Sequence, residues 1–214
     1  MNIVTNYANF ISEIFRRLDA ISLSLVEVRD DPDHPDVWQN CDFCWFQFRK
    51  VCEYVALSIA LAHHEDTGLD DLSKWRPKDL LSQTSSLSGH PTQIPLDIHI
   101  LADGNSRQFV PLAKPVNPAE ISKIYGQCSE LLHVGSLDRM LKNKMPSYDI
   151  LTAEKWLAGF NRLLRNHALF LPMIKNVLIC RSNFVEPAQF FQLETNGEAM
   201  FNAGDLPKFE LVMA

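Results

Sequence analysis

The chain has 214 residues, of which 46% are hydrophobic and 21% charged, and its formal net charge is -6. These values are typical of a globular protein with a sizeable core, and they exclude an intrinsically disordered chain. The acidic balance argues against a protein built for indiscriminate nucleic-acid binding, because such proteins usually carry a strong basic excess. We expect one domain with additional segments, or one domain plus a small appendage, since a single core usually serves about 100 to 200 residues.

The first predicted element is a long helix over residues 3–29. Its apolar positions alternate steps of four and three for three heptads. They are Tyr7, Ile11, Ile14, Leu18, Ile21, Leu25 and Val28. This stripe packs either along another helix of the chain or against a second subunit, and we prefer packing within the chain. Pro32 and Pro35 then disfavour helical geometry, so residues 30–35 are predicted to form a linker.

A second predicted helix, over residues 43–64, is the expected centre of the fold. Its apolar residues recur at three- and four-residue steps. They are Phe48, Val51, Cys52, Val55, Ile59 and Ala62. An aromatic cluster leads into this helix and contains Trp38, Phe43, Trp45, Phe46 and Phe48. Gly68 is suited to the left-handed cap that ends a helix, and we expect the other elements to cover this one.

A β-hairpin is predicted to interrupt the helices within residues 88–115. A shorter helix at residues 77–87, with Pro77 in its first turn, precedes it. Leu96, Ile98 and Ile100 occupy alternate positions, as expected for a strand with one buried face. The dipeptide Asp103-Gly104 then favours a tight turn before a second strand at residues 107–112.

Two further helices are predicted after the hairpin. Asn117, Pro118 and Glu120 form a helix start, and this helix extends to about His133. After Pro146 an amphipathic helix is predicted over residues 152–171, and Pro172 ends it. Its inward residues are Trp156, Phe160, Leu163, Leu164, His167 and Leu171.

The remaining chain changes to short strands at residues 177–180, 190–193 and 209–213, which can form a small sheet with the inserted hairpin. The predicted fold is therefore α+β. A mainly helical bundle occupies residues 1–171, with the inserted hairpin at 88–115. A C-terminal strand segment at residues 172–214 packs on it.

Several classes of protein and site lack support in the sequence. No apolar run approaches the ~18 residues that span a bilayer, and the N-terminus lacks the pattern of a secretory signal. Five scattered cysteines favour free thiols in a reducing compartment, so we expect a cytoplasmic protein without membrane association. Cys41-x-x-Cys44 has the spacing of half a zinc site, but no second pair follows. We expect core thiols, no metal and no cofactor.

His133 is the residue with the strongest functional indication. It lies at the predicted end of a capped helix, where the helix dipole favours the protonated imidazole and a near-neutral pKa suits proton transfer. The same position is suited to capping the helix end. On position alone, we prefer this structural role.

A resemblance strengthens the functional interpretation. Residues 48–53, with the sequence Phe-Arg-Lys-Val-Cys-Glu, precede a short leucine-bearing helix, a helix ending in Leu-Leu-His133, and a final helix. This order resembles the HEPN superfamily of small helical bundles, over about residues 38–170. The stretch Tyr125-Gly126-x-Cys128 with Leu132-His133 also looks like an uncharacterised group of bacterial proteins. The resemblance implies a helical bundle, a homodimer, and a role in defence or stress systems.

In catalytic HEPN proteins two Arg and His motifs meet across the dimer to form a metal-independent ribonuclease site. The His moves the proton of an RNA 2'-hydroxyl, and the Arg stabilises the charged phosphate. Here Gly126, Gln127 and Cys128 occupy the positions of the Arg before His133. A second match, Arg162 with His167, has the right spacing, but its His falls on the apolar stripe, where we prefer a core histidine.

Basic residues are concentrated between residues 139 and 181, with only Asp149 and Glu154 among them as acidic residues. A nucleic-acid contact through Arg139, Lys142, Lys144 and Arg165 is one interpretation, and a solvated helix face is the one we prefer. Our first functional hypothesis is a non-catalytic HEPN-like interaction module that contacts a protein partner or RNA. The alternatives are a ribonuclease that uses His133 or the Arg162/His167 pair, and a small-molecule sensor with a pocket between bundle and sheet.

Overall fold

The computed structural model describes residues 3–62, 79–80, 93–100, 102, 107–112, 118–132, 148–171, 176–182, 189–194 and 209–211. Its long helices are α1 (Ile3–Asp30), α2 (Val37–Ala62), α3 (Pro118–Leu132) and α4 (Ile150–Leu164). Its strands are β1 (Ile94–Ile100), β2 (Arg107–Pro111), β3 (Asn166–Leu171), β4 (Asn176–Arg181), β5 (Gln189–Glu194) and β6 (Phe209–Leu211). The predicted α+β class is confirmed.

α1 packs lengthwise against α2, and its apolar stripe is buried inside the chain. All seven predicted stripe positions, from Tyr7 to Val28, are buried. The preferred interpretation, packing within the chain, is therefore confirmed. Contact between the apolar faces of α1 and α2 removes apolar surface from water. This burial is the main driving force for the packing of the two helices.

α2 begins at Val37, six residues before the predicted start, because the last proline of the linker is Pro35. Backbone hydrogen bonds from His34 to Asp31 and from Val37 to His34 form the turn, and Asn40 N–H donates to Asp36 as the helix starts. The aromatic cluster consequently lies inside the helix and is divided between its two faces. Trp45 and Phe48 are buried, whereas Trp38, Phe43 and Phe46 are exposed.

The six strands form one antiparallel sheet in the order β5-β4-β3-β1-β2-β6. The inserted hairpin and the C-terminal strands therefore share a sheet, as the sequence indicated. The predicted boundary between residues 171 and 172 falls between β3 and β4, which pair along their whole length.

The prediction that one helix continues to Leu171 is wrong. α4 ends at Leu164, and the chain enters β3 at Asn166, so that Pro172 follows a strand rather than a helix. β3 lies between β1 and β4 and is hydrogen-bonded on both sides. A short buried strand is apolar on both faces and cannot be distinguished by periodicity from the continuation of an apolar helix stripe.

Contacts between aromatic rings pack α4 against α2. Trp156 and Phe160 of α4 contact Phe48 at centroid distances of 5.5 and 6.3 Å, and Trp156 also contacts Trp45 at 6.1 Å. At the start of α4, Asp149 accepts a hydrogen bond from Thr152 N–H and caps the helix. α3 packs on α2 as well, so among the described elements α1, α3 and α4 all contact the central helix. Within the described residues, no helix has the length and apolarity needed to cross a membrane.

Several predicted features lie outside the described residues. They are Gly68, most of the helix at residues 77–87, the Asp103-Gly104 turn and His133. Of the short helix, Asp79 and Leu80 are described and are helical.

Candidate functional site

The predicted site residues do not form one surface in the described structure. His133, Arg139, Lys142 and Lys144 lie outside the described residues. Arg162 is exposed in the last turn of α4, and Arg165 is exposed at its C-cap. His167 lies two residues further, in β3, and none of its surface is exposed.

His167 is held in one tautomer by two buried hydrogen bonds. Its Nδ1 lies 3.1 Å from the carbonyl oxygen of Leu164, which can only accept, so Nδ1 carries the proton. Nε2 is then the acceptor for the Tyr7 hydroxyl, at 2.6 Å. Burial lowers the pKa of His167 to about 4, because an imidazolium would lose its hydration there. The ring is therefore neutral at physiological pH.

The hydrogen bonds continue beyond Tyr7 into the centre of the molecule. Gln93 Nε2 donates to the Tyr7 oxygen at 2.8 Å and lies 3.4 Å from Ser58 Oγ. Ser58 Oγ donates to the carbonyl of Val55 at 2.8 Å. The four side chains of Tyr7, Ser58, Gln93 and His167 are completely buried. We call them the buried network, and it joins α1, α2, the start of β1, and β3.

The burial of the network prevents His167 from contacting RNA. A polyanion cannot approach His167, because the ring has no exposed surface and all its polar atoms are already hydrogen-bonded. The exposed side chain of Arg162 therefore does not share an accessible surface with His167. The network satisfies both ring nitrogens of His167 and the Tyr7 hydroxyl, whereas Gln93 Oε1 has no hydrogen-bond partner among the described residues. These bonds give His167 a structural role in the core.

The two stretches that carry the family resemblance face each other across α2 and α3. The Arg49 guanidinium lies 5.2 Å from the centre of the Tyr125 ring, and Arg49 Nη2 donates to the Tyr125 hydroxyl at 3.3 Å. Glu53 accepts a 2.7 Å hydrogen bond from Lys50, and one of its carboxylate oxygens lies 3.5 Å from Arg49 Nε. Both cations thus have an intramolecular counter-charge, so this cluster fixes α3 on α2.

The cysteines are free and buried. Burial raises the pKa of Cys44 and of Cys128 to about 12, although Arg49 lowers that of Cys128 in part. Burial also raises the pKa of Cys41 and Cys52. Since the thiolate is the nucleophile and the metal ligand, the raised pKa values disfavour reaction of these thiols at neutral pH. Among the described residues, no group of three or more His, Cys, Asp and Glu is arranged to hold a metal ion.

Large apolar side chains are exposed on α1 and α2. The exposed fraction is 61% for Leu23, 41% for Phe43 and 44% for Phe46. Two hydrogen bonds between α1 and α2 lie on either side of these residues along the helix pair. Asn40 Nδ2 donates to Glu27 at 3.2 Å, and Arg17 Nη1 donates to Gln47 at 2.6 Å.

Residue 23 lies between positions 17 and 27 of α1, and residues 43 and 46 lie between positions 40 and 47 of α2. The three exposed residues consequently occupy the same level of the helix pair, on the sides turned away from the core. We call Leu23, Phe43 and Phe46 the outer patch. The stretch that contains the patch, residues 3–46, has eight acidic residues and three arginines. One cation lies at the patch itself, because Lys50 Nζ is 5.9 Å from the centre of the Phe46 ring.

Sequence reasoning missed the outer patch, although a signal was present. Phe46 and Phe48 are two positions apart and so differ by about 200° around a helix, which means that both cannot face the same core. No comparable sequence pattern identifies the residues that form the buried network. Ser58 and Gln93 are ordinary polar residues in the sequence, and only the tertiary structure brings them to Tyr7 and His167.

Comparison with models of protein families, with curated proteins and with solved structures finds no match for this chain.

Proposed function

We propose that this protein is a non-catalytic HEPN-like module that binds a protein partner through the outer patch. One observation carries the proposal: Leu23, Phe43 and Phe46 expose large apolar surface at one level of the α1–α2 pair. Scattered apolar residues are normal on a protein surface, but several large exposed aromatic and aliphatic side chains at one level of a helix pair are typical of an interface. Phenylalanine is a residue type enriched in such contacts.

The absence of catalysis is supported by the two candidate histidine motifs. Gly126, Gln127 and Cys128 stand where a catalytic arginine would precede His133. A different observation argues against the alternative pair, because His167 is buried, neutral and hydrogen-bonded while Arg162 is exposed. A general base must be within reach of the proton that it removes, and the His167 ring is not.

The charge of the surface favours a protein partner over RNA. Residues 3–46, which contain the outer patch, carry a formal charge of -5, and this excess outweighs the single Lys50 cation at Phe46 and disfavours a phosphate backbone. A partner with apolar side chains and a basic rim would be complementary to it. Two copies of this chain joined through the same patch would bring like charges together, so a homodimer through this face is disfavoured. A homodimer through another face, as the resemblance implies, is compatible with the proposal.

The cytoplasm is the proposed location, and its support is the five free cysteines, which suit a reducing compartment. The involvement in a defence or stress system is carried over from the family resemblance.

The test is crosslinking at a defined position in the native host. A photocrosslinking analogue of phenylalanine at position 46 should capture one discrete protein. The same analogue at position 151 is the matched control, because Leu151 on α4 is 67% exposed and outside the outer patch. Phe43→Asp should abolish the adduct at position 46 without unfolding the chain. Equal capture at both positions, or capture that survives Phe43→Asp, would overturn the proposed surface.

Catalysis is tested separately with purified protein and total RNA in the presence of a chelator. We expect no cleavage. Cleavage that is lost in His133→Ala, while folding is retained, would locate a ribonuclease site and replace the present proposal. Loss in His167→Ala would be informative only if circular dichroism shows that the buried network still folds.

A further inference from the structure

A groove of about 490 Å³ lies between α3 and α4. Both helices pack on α2, but they leave an opening between them. The apolar residues that line the groove are Ile121 and Ile124 from α3 and Trp156, Phe160 and Leu163 from α4. The volume is within the range of about 300 to 1,000 Å³ that is usual for small-molecule sites. The groove lies between two helices, whereas the sequence suggested a pocket between the bundle and the sheet.

The apolar wall of the groove is held in place by the core. The Trp156 ring lies 5.5 Å from Phe48, and the Phe160 ring lies 6.3 Å from the same residue, centroid to centroid. Phe48 is completely buried. These contacts fix the two rings before any ligand binds, and a preformed wall reduces the entropy that binding would cost.

The charged lining of the groove is positive on balance. Lys123 projects from α3 and Lys155 from α4, and among the described residues of the lining Glu120, on α3, is the one acidic residue. Within the described part of the chain neither lysine has a carboxylate within 4 Å, although hydrogen bonds from Thr152 and, to a smaller extent, the charge of Lys155 lower the pKa of Asp149. A local positive charge on both walls is notable in a chain whose formal net charge is -6. A carboxylate or sulfonate would therefore be favoured here over a cation.

We propose that this groove binds a small organic anion with an apolar, flat body. The body contacts Trp156 and Phe160, and the acidic group is bound by Lys123 and Lys155 from the two helices. The combination of a mainly apolar wall with few charged groups is the usual arrangement of a ligand site. This inference does not depend on the outer patch, which lies on α1 and α2, so either proposal can fail without the other.

Gly159 provides a direct way to block the site. It lines the groove, and a Cβ atom added there would have no other atom within 4 Å. A larger side chain would therefore extend into open space without disturbing the packing. Gly126 on α3 has the same free space but does not line the groove, so it is the matched control.

The experiment uses 1-naphthoate as the probe and isothermal titration calorimetry with tryptophan fluorescence as the readouts. We expect saturable binding with one site per chain. Gly159→Leu should weaken it by about tenfold or more, whereas Gly126→Leu should leave it unchanged. The double variant Lys123→Gln/Lys155→Gln should also weaken binding by about tenfold, because it removes both charge-assisted contacts. The cation 1-naphthylmethylamine should bind far more weakly than 1-naphthoate.

Three results would overturn the proposal. They are no binding of 1-naphthoate, binding that is equal in Gly159→Leu and the unchanged protein, and equal binding of the anion and the cation. Circular dichroism of each variant excludes unfolding as the cause of lost binding. If Gly159→Leu fails to fold, the lysine double variant, which changes exposed ends of side chains, still decides the outcome.

Discussion

The hydroxyl of Tyr7 donates a 2.6 Å hydrogen bond to Nε2 of His167, and so joins the first helix to a central strand of the sheet across 160 residues of sequence. The same hydroxyl oxygen accepts from Gln93 Nε2 at 2.8 Å. Both hydrogen bonds are buried, so water cannot replace a partner that is removed. A polar group left unpaired in such a place costs more than the hydrogen bond itself is worth.

Tyr7→Phe should therefore destabilise the protein by about 1 to 3 kcal/mol, because it keeps the ring but leaves His167 Nε2 without a partner and leaves Gln93 Nε2 with the longer contact to Ser58 Oγ alone. Urea unfolding followed by circular dichroism measures the change, and the midpoint should fall at an unchanged slope. A loss below about 0.5 kcal/mol, the usual range for a surface substitution, would contradict the buried network.

Stability should fall with acidification through His167. Its pKa in the folded state is about 4, below the ordinary value near 6.5 of an unfolded chain. The unfolded state therefore binds the proton first as pH decreases, and the stability that the neutral ring contributes above pH 6.5 is lost progressively towards pH 4. Between pH 7 and pH 5 this amounts to about 2 kcal/mol.

The comparison that isolates this effect is His167→Gln, which cannot titrate. The variant should be less stable at pH 7, but its free energy of unfolding should change by about 2 kcal/mol less between pH 7 and pH 5. Other titrating groups are shared by both proteins and cancel in the difference. Parallel pH profiles for the two proteins would mean that His167 keeps an ordinary pKa.

Phe46 and Phe48 should respond differently to the same truncation, although they are two residues apart on α2. Phe48 is completely buried and contacts three aromatic rings, so Phe48→Ala should cost about 3 to 5 kcal/mol. Phe46 is 44% exposed, so Phe46→Ala should cost less than about 1 kcal/mol. Chemical denaturation of the two variants measures both values, and similar losses would contradict the assignment of the helix faces.

Gly126→Ala and Gly159→Ala should each stabilise the protein by about 0.5 to 1 kcal/mol. Both glycines lie inside helices, where glycine is less favourable than alanine, and neither has an atom within 4 Å of the position that Cβ would take. The double variant should add the two gains, because the sites lie on different helices. Thermal unfolding measures the effect, and a lower melting temperature would show that one of these positions is closely packed.

The sequence by itself determined the elements whose pattern is long and periodic. The three-heptad stripe of α1 predicted a helix that ends within one residue of the observed one, and the core that it buries. Alternation at Leu96 and Ile98 predicted β1, and the short apolar runs of the tail predicted β4 and β5. These signals are local, because helix and strand periods are properties of neighbouring residues.

Only the tertiary structure decided the features that depend on distant partners. β3 replaced the end of the predicted helix because β1 and β4 supply hydrogen bonds on both of its sides. His167 became a buried, neutral core residue because Tyr7 and the Leu164 carbonyl meet its two nitrogens. The aromatic cluster of α2 was divided because three other helices cover one side of it and leave Phe43 and Phe46 in solvent. Periodicity shows which residues are apolar, but burial and hydrogen bonding depend on what the rest of the chain places beside them.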